Sequence, residues 1–326
     1  MLKLCVCVAT KDRLKLLQKS LGALISQNFD SAEYEIIVID DGSKEDIFGF
    51  VDKLKANFKN LRCLRQESLG LASARNLAVK NTTANIVAFT DNDVIADKNW
   101  LKEIYSAFED GENDVVGVEG KIITDSPRML FTNAPENLRG GKFIGANSAY
   151  LKKIIVKAGY FDEKMNFWRE DSDFAFRAME FGNIAFAEKA IIYHPLRKTQ
   201  PSSVFHYLGL LRNDWVCFFK HPRKYLEFIG FGFLKDFLKS ILAYFSLFAI
   251  LFLIFSNAET TTVILAVFFF IALFVFFPLL KFKVGFKIKE LSEILIFVIF
   301  NYVKDLAYPI YFSISFFNAL KFMVVK

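Results

Sequence analysis

Residues 86–93 read IVAFTDND: four apolar residues, a threonine, then two carboxylates separated by one residue. This is how a short buried strand runs out into an acidic turn. The same grammar precedes it. Lys3–Ala9 is short and Val-rich, and Leu14, Leu17, Leu21, Leu24 and Ile25 then share one helical face. Glu35–Ile39 is a second apolar run that stops at Asp40-Asp41-Gly42-Ser43. Val51, Leu54 and Phe58 predict a helix, Leu61–Leu64 a third strand, and Gly70 opens an Ala-rich helix through Lys80. Strands alternating with helices predict an α/β layer with a mostly parallel sheet. In such sheets ligands sit beyond the carboxyl ends of the strands, where Asp40/Asp41 and Asp91/Asp93 fall.

Asp91-Asn92-Asp93 suits a hard cation. A leaving diphosphate gains negative charge as its bond breaks, and a divalent ion held by carboxylate oxygens relieves it. An isolated pair of this kind is most often a polar turn. The strand before it and the second acidic strand end upstream favour the metal-binding reading. Asp40-Asp41-Gly42-Ser43 is turn-like by composition, and a carboxylate there could instead accept a hydrogen bond from the N–H of a uracil-type base. Asp12, following Thr10 at the first strand's end, is placed similarly, with helix capping as its alternative.

The middle of the chain, 113–195, is less regular. Gly145-Ala146-Asn147-Ser148 and Trp168-Arg169-Glu170-Asp171-Ser172-Asp173 stand out, the second leading into a helix with Phe174, Phe176, Arg177 and Met179. Transfer to a hydroxyl needs a general base, and a carboxylate pair beside Trp168 is a candidate because two like charges disfavour joint ionisation. The alternative is a solvated helix N-terminus, where acidic residues are common. His194, delivered by the apolar run Ala190–Tyr193, is a candidate additional metal ligand, although a lone His is more often structural.

Together these segments resemble glycosyltransferase family 2, whose members share the GT-A fold. Val6–Arg13 looks like the family's first strand and nucleotide-binding turn, with Ala9 where Pro is usual. Ile36–Ser43 (IIVIDDGS), Gly70–Asn76 (GLASARN) and Ile86–Asp93 (IVAFTDND) follow in the family's order. Gly145–Asn147 with Gly159–Glu163 resembles its acceptor-side segment, and Arg169–Arg177 (REDSDFAFR) its acidic motif. The resemblance covers about residues 3–196. It implies that Asp41 contacts the base and Asp93 holds a divalent metal (Mg2+ or Mn2+); Thr10, Asp12, Arg75, Asp91 and Asn92 are further expected donor-site residues, and Asp91 and His194 further expected ligands. It also implies Asp171 as catalytic base supported by Glu170, an acceptor side of Asn147, Trp168 and Asp173, and inversion at the anomeric carbon. The expected donor is a nucleotide sugar, with a UDP-sugar favoured.

The chain has 326 residues, 53% of them hydrophobic, and a formal charge of +6. Ser240–Ala258 and Thr260–Leu280 carry no charged residue, and only Glu259 lies between them. Each run approaches the roughly 20 apolar residues that cross a bilayer. Basic excess flanks them: eight Lys/Arg against three acidic residues over 197–239, and seven against three over 281–326. This pattern suits an anionic membrane surface and argues against a nucleic-acid partner, which would need basic residues interleaved with stacking aromatics on the globular part.

The expected organisation is a transferase domain over 1–228, a membrane-entry segment and hairpin over 229–290 (spans about 240–256 and 262–280), and an amphipathic interfacial tail over 291–326. Basic ends on both sides of the hairpin place the catalytic domain on the cytoplasmic face of the cell membrane. No signal peptide is read at the N-terminus. Cys5, Cys7, Cys63 and Cys217 show neither zinc nor disulfide spacing and read as core residues in a reducing compartment.

The expected activity is inverting, metal-dependent transfer of a sugar to a hydroxyl of a lipid-linked or other glycan acceptor, with membrane lipids as further partners. One alternative is a polyprenyl-phosphate glycosyltransferase, whose ionised acceptor needs no base. Another is a non-catalytic membrane-bound binding protein on the same fold. A pore or transporter is disfavoured because the apolar runs lack ionisable residues.

Overall fold

The computed structural model describes residues 2–110, 114–124, 126, 131–165, 167–256, 259–262, 264 and 291–324. The chain divides into two units, one of 1–125 and 134–195, the other of 126–133 and 196–326. Helix 203–220, expected within a domain reaching residue 228, groups with the second unit, because its buried Leu208 and Leu211 cluster with Tyr308.

The first unit holds the sheet. Its elements run β1 (Leu4–Thr10), α1 (Leu14–Ile25), β2 (Tyr34–Asp40), α2 (Ile47–Leu54), β3 (Leu61–Arg65), α3 (Leu71–Asn81), β4 (Ile86–Asp91) and β5 (Ile95–Ala96). There follow α4 (Trp100–Glu109), β6 (Val115–Thr124), β8 (Asn147–Leu151), α5 (Lys152–Lys157), α6 (Glu170–Ala178) and β9 (Asn183–His194). The short β7 (Thr132–Asn133) pairs with β10 (Arg197–Lys198) in the second unit.

The eight-stranded sheet has the order β3-β2-β1-β4-β8-β6-β9-β5. β3, β2, β1 and β4 are mutually parallel, β8 is antiparallel to both β4 and β6, and β6 is parallel to β9. The carboxyl ends of β1, β2, β4 and β9 therefore share one edge.

Both faces of the sheet are covered, which is why β1 reads as a continuous apolar run rather than an alternating one. Leu4, Val6 and Val8 point into a core with Leu17, Leu21 and Leu24 of α1, Val51 of α2, and Trp100 and Ile104 of α4. Cys5 and Cys7 point the other way, into a core with Ala72, Ala74 and Ala78 of α3, Ile155 of α5 and Phe174 of α6. The alanines of α3 let that helix approach the strands closely. Burial pushes the Cys7 thiol up to about 12, consistent with a core residue and not a reactive one. Truncating a leucine such as Leu21 to alanine would cost about 2–5 kcal/mol.

The second unit contains α7 (Ser203–Lys220), α8 (Pro222–Lys224), a π-helical turn (Tyr225–Ile229), α9 (Gly232–Phe255) and α10 (Leu291–Val324). Its core is aromatic: the Trp215 indole stacks on Phe219 and meets Phe233, Phe312 and Phe316 edge-on. Polar groups are also turned inward. The Tyr225 hydroxyl donates to Asp214, and buried Asp305 pairs with Lys239 at 2.6 Å and Lys304 at 3.2 Å. Large apolar side chains are turned outward instead: Leu242, Phe245, Phe248 and Phe252 on α9, and Ile310, Ile314 and Phe317 on α10.

Within α9, Gly232–Leu253 is long and apolar enough to cross a membrane. It overlaps the first expected span over 240–253. The second, 262–280, lies outside the described residues save for Thr262 and Ile264. α10 falls within 291–326, with Tyr308 and Ser315 buried and Ile310, Ile314 and Phe317 exposed.

Candidate active site

Four strand ends converge on the carboxyl edge. Thr10 ends β1, Asp40 ends β2, Asp91 ends β4 and His194 ends β9. The hairpin-like return after Asp91 is decisive: β5 pairs antiparallel with β9, Ile95 opposite Tyr193, and this brings His194 back beside Asp93. His194 Nε2 lies 3.7 Å from Asp91 Oδ2 and 3.6 Å from Asp93 Oδ1. One ligand atom from each residue falls within 4.8 Å of the others. Asp93 and His194 are buried, while Asp91 is partly open.

The imidazole orientation bears on what this cluster can hold. His194 Nδ1 is 3.0 Å from the carbonyl oxygen of Pro195. A carbonyl has no proton to give, so Nδ1 is the donor, and Nε2 is the nitrogen turned toward the two carboxylates. Those separations exceed a hydrogen bond but match ligand atoms about 2.0–2.2 Å from a shared ion. Two carboxylate oxygens and a back-bonded imidazole thus fit a divalent cation. Arg13 Nη1 approaches Asp93 Oδ2 from outside at 3.9 Å.

The neighbouring turns are clasped together. Asn92 donates to Thr10 Oγ1 at 2.8 Å, and the Asp41 N–H donates to the Thr10 carbonyl at 2.9 Å. Asp12, at φ +50°, accepts from the Lys44 N–H, and its own N–H donates to Ser43 Oγ. The Asp41 carboxylate accepts from Gln66 Nε2 at 2.7 Å and from the Gly70 N–H at 3.1 Å. Arg13 and Gln66 are participants that sequence reasoning passed over. Nothing in their type or spacing marks them, because their partners come from other strand ends.

Arg75 projects from α3 into this same edge and is buried beside Glu170, with Nη1 to Oε1 at 3.0 Å. Burial works against its charge, but Glu170, Asp171 and Asp91 outweigh that and raise its pKa. Of the three, Glu170 makes the direct contact.

At the start of α6 the two acidic residues have different settings. Glu170 is buried, and burial first, then Asp171, push its carboxyl up to about 8 against the opposing pull of Arg75. Asp171 is half-buried, with Oδ2 accepting from the Gly145 N–H at 3.0 Å and Oδ1 from the Ser172 N–H at 2.8 Å. Of the pair, Asp171 is the more exposed. Trp168 and Arg169 both have left-handed backbones, φ +70° and +71°, which sets the abrupt entry into α6.

The acceptor-side residues divide. Trp168 lies at that entry, with the Arg169 guanidinium 4.8 Å from its ring centroid. Asn147 is buried, accepting from Trp100 Nε1 and donating to the carbonyls of Lys121 and Ala190. Its amide thus ties α4, β6 and β9 together. Asp173 is fully buried and paired with Arg177 at 2.9 Å within α6. Both side chains are occupied in holding the fold.

Residues 5–159 match the family Glycosyl transferase family 2. Curated relatives include chondroitin synthase of Escherichia coli, 28% identical over 237 residues, which covers 59% of this chain and 34% of the relative. The poly(ribitol-phosphate) beta-N-acetylglucosaminyltransferase TarS of Staphylococcus aureus is 32% identical over 178 residues, 48% of this chain and 31% of the relative. The chain thus matches about a third of the length of each. Among solved structures, the mannosyltransferase PcManGT from Pyrobaculum calidifontis, in complex with GDP-Man and Mn2+, aligns with TM-score 0.65 at 15% identity, covering 93% of this chain and 87% of its own. TarS 1-349 in complex with UDP-GlcNAc aligns with TM-score 0.52 at 22% identity, covering 70% and 73%. At such identities the likeness shows the fold. The fold is GT-A, as the resemblance implied.

Proposed function

We propose that the protein is an inverting, metal-dependent glycosyltransferase that moves a sugar from a nucleotide-sugar donor to a glycan hydroxyl. The observation that carries this reading is the placing of Asp91, Asp93 and His194 on the same sheet edge as Arg75, Glu170 and Asp171. The Arg75 guanidinium pairs there with Glu170, the neighbour of Asp171. That chondroitin synthase and TarS are among the relatives supports a polymer-building or polymer-decorating role.

In this reading Asp41 and Asp12 border the nucleoside, and Asp91, Asp93 and His194 hold a divalent ion. The ion, when bound, neutralises charge on the leaving diphosphate. Asp171 takes the proton from the acceptor hydroxyl as its oxygen attacks the anomeric carbon. The bond from that carbon to the diphosphate oxygen breaks, and the nucleoside diphosphate leaves. Glu170 and Arg75 fix the acidic helix against the donor side. Glu170, whose carboxyl is pushed up by burial, is turned to Arg75 and leaves the acceptor side to Asp171.

Membrane association on the cytoplasmic face and a lipid-linked acceptor belong to the same proposal. They are supported by α9 and by the outward apolar faces of α9 and α10. The test is to incubate the full chain and MnCl2 with UDP- and GDP-sugars and with lipid-linked saccharide or polyprenyl phosphate. Nucleoside diphosphate release that rises with the saccharide supports the proposal. Product only on polyprenyl phosphate would replace it with the phosphate-acceptor reading.

A further inference from the structure

Glu119 lies in the middle of β6, between Val118 and Gly120, and is buried. A carboxylate inside an apolar strand is costly unless its oxygens are met by donors. Here they are met by one loop. Oε1 accepts from the Gly141 N–H, and Oε2 accepts from the N–H groups of Lys142 at 3.2 Å and Phe143 at 2.9 Å. Asn137 Nδ2 also donates to Oε2 at 2.8 Å, while its Oδ1 accepts from the Gly140 N–H. Three successive backbone N–H groups on one carboxylate form a nest with its anion supplied by the protein.

The loop is held in a shape it would not otherwise keep. Gly140, Gly141 and Phe143 have φ of +80°, +78° and +51°, the last a conformation that a phenylalanine rarely adopts. Asn137 anchors the near end by pairing its backbone with Ile122 in both directions. The far end is Gly145, whose N–H is the donor to Asp171 Oδ2. A Cβ at Gly145 would stand 2.1 Å from Arg75 Nη2, so the strap closes directly on the guanidinium.

We propose that Glu119 is a positioning residue for the transfer step: it fixes the strap 137–145 so that the Gly145 N–H orients the Asp171 carboxylate. This rests on the reading of Asp171 as the base. Glu119 touches neither donor nor acceptor and acts through the strap alone. Glu119→Gln keeps the side-chain shape but turns an amide group, itself a donor, toward backbone donors.

The test uses the full chain and three readouts. Amide hydrogen exchange in Glu119→Gln should speed at least tenfold at Gly141, Lys142, Phe143 and Gly145, with α3 and α6 unchanged. UDP binding with MnCl2 should stay within twofold of wild type, while hydrolysis of UDP-N-acetylglucosamine, with water as acceptor, falls at least tenfold. Combined with Asp171→Asn, Glu119→Gln should add little further loss, because the two act in series. Faster exchange at 141–143 with Gly145 still protected would overturn the proposal, as would UDP affinity falling in step with hydrolysis. If wild type hydrolyses no nucleotide sugar, the functional reading fails, and the exchange at Gly145 still decides whether Glu119 holds the strap.

Discussion

Arg75 and Glu170, 95 positions apart in the chain, meet at 3.0 Å with side chains only 5% and 4% exposed. The contact joins α3, whose first turn approaches Asp41 through Gly70, to α6, which carries Asp171. Under the proposed function it links the donor half of the site to the acceptor half through buried groups, where electrostatic effects are strongest.

The burial of Glu170 gives stability a pH dependence. Burial raises the Glu170 carboxyl from an ordinary 4.5 to about 8, with Asp171 adding to the rise and Arg75 opposing it. Between those values the folded protein binds more protons at this position than the unfolded chain. The contribution is complete below about 4.5 and is lost as pH rises through about 8. Urea unfolding midpoints of Glu170→Gln should therefore fall less than those of wild type between pH 5 and 9. Arg75→Met, which removes the opposing charge, should extend the decline to higher pH.

Asp171→Asn should lower turnover by about 10²–10⁴-fold, the usual cost of losing a general base. Nucleotide affinity should hardly change, because Asp171 bonds to Gly145 and its own helix and not to the metal cluster. Glu170→Gln should be milder. Steady-state turnover and calorimetric UDP binding, both at saturating MnCl2, separate these effects. Near-normal turnover in Asp171→Asn would remove it from the role of base.

The outward apolar faces of the second unit should bind lipid. Changing Phe245, Phe248 and Phe252 to serine should reduce co-flotation of the full chain with anionic vesicles, and adding Ile310→Ser, Ile314→Ser and Phe317→Ser should reduce it further. These side chains are exposed, so soluble-domain nucleotide binding should survive. Unchanged flotation would remove the membrane-binding role from both faces.

Much of the first unit was legible in the sequence because its information is local. The run from Lys3 to Asp93 alternates between two hydrophobic periods, and α1 begins and ends where Leu14 and Ile25 said it would. Asp91, Asp93 and His194 were legible as candidates, since each follows an apolar strand, but their meeting depends on the two-residue β5 pairing with β9. So short a strand has no periodicity to read. The acidic pair was visible at 170–171, whereas its division of labour was not: only the fold shows that Glu170 is turned to Arg75 and Asp171 to Gly145. Asn147 and Asp173 looked like site residues by position, and their side chains are taken up by Trp100 and Arg177. Glu119 carried one local signal, a charge inside VVGVEGKII, but its partners are 18 to 24 residues away.

The central claim is that Asp91, Asp93 and His194 hold a divalent ion that binds the donor's diphosphate. Calorimetric titration of UDP into the full chain, with MnCl2 and with excess chelator, tests it most directly. The account expects at least tenfold tighter binding with the metal, a gain abolished by Asp93→Ala and reduced by His194→Ala. Equal UDP affinity in chelator and in MnCl2, unaffected by Asp93→Ala, would contradict it.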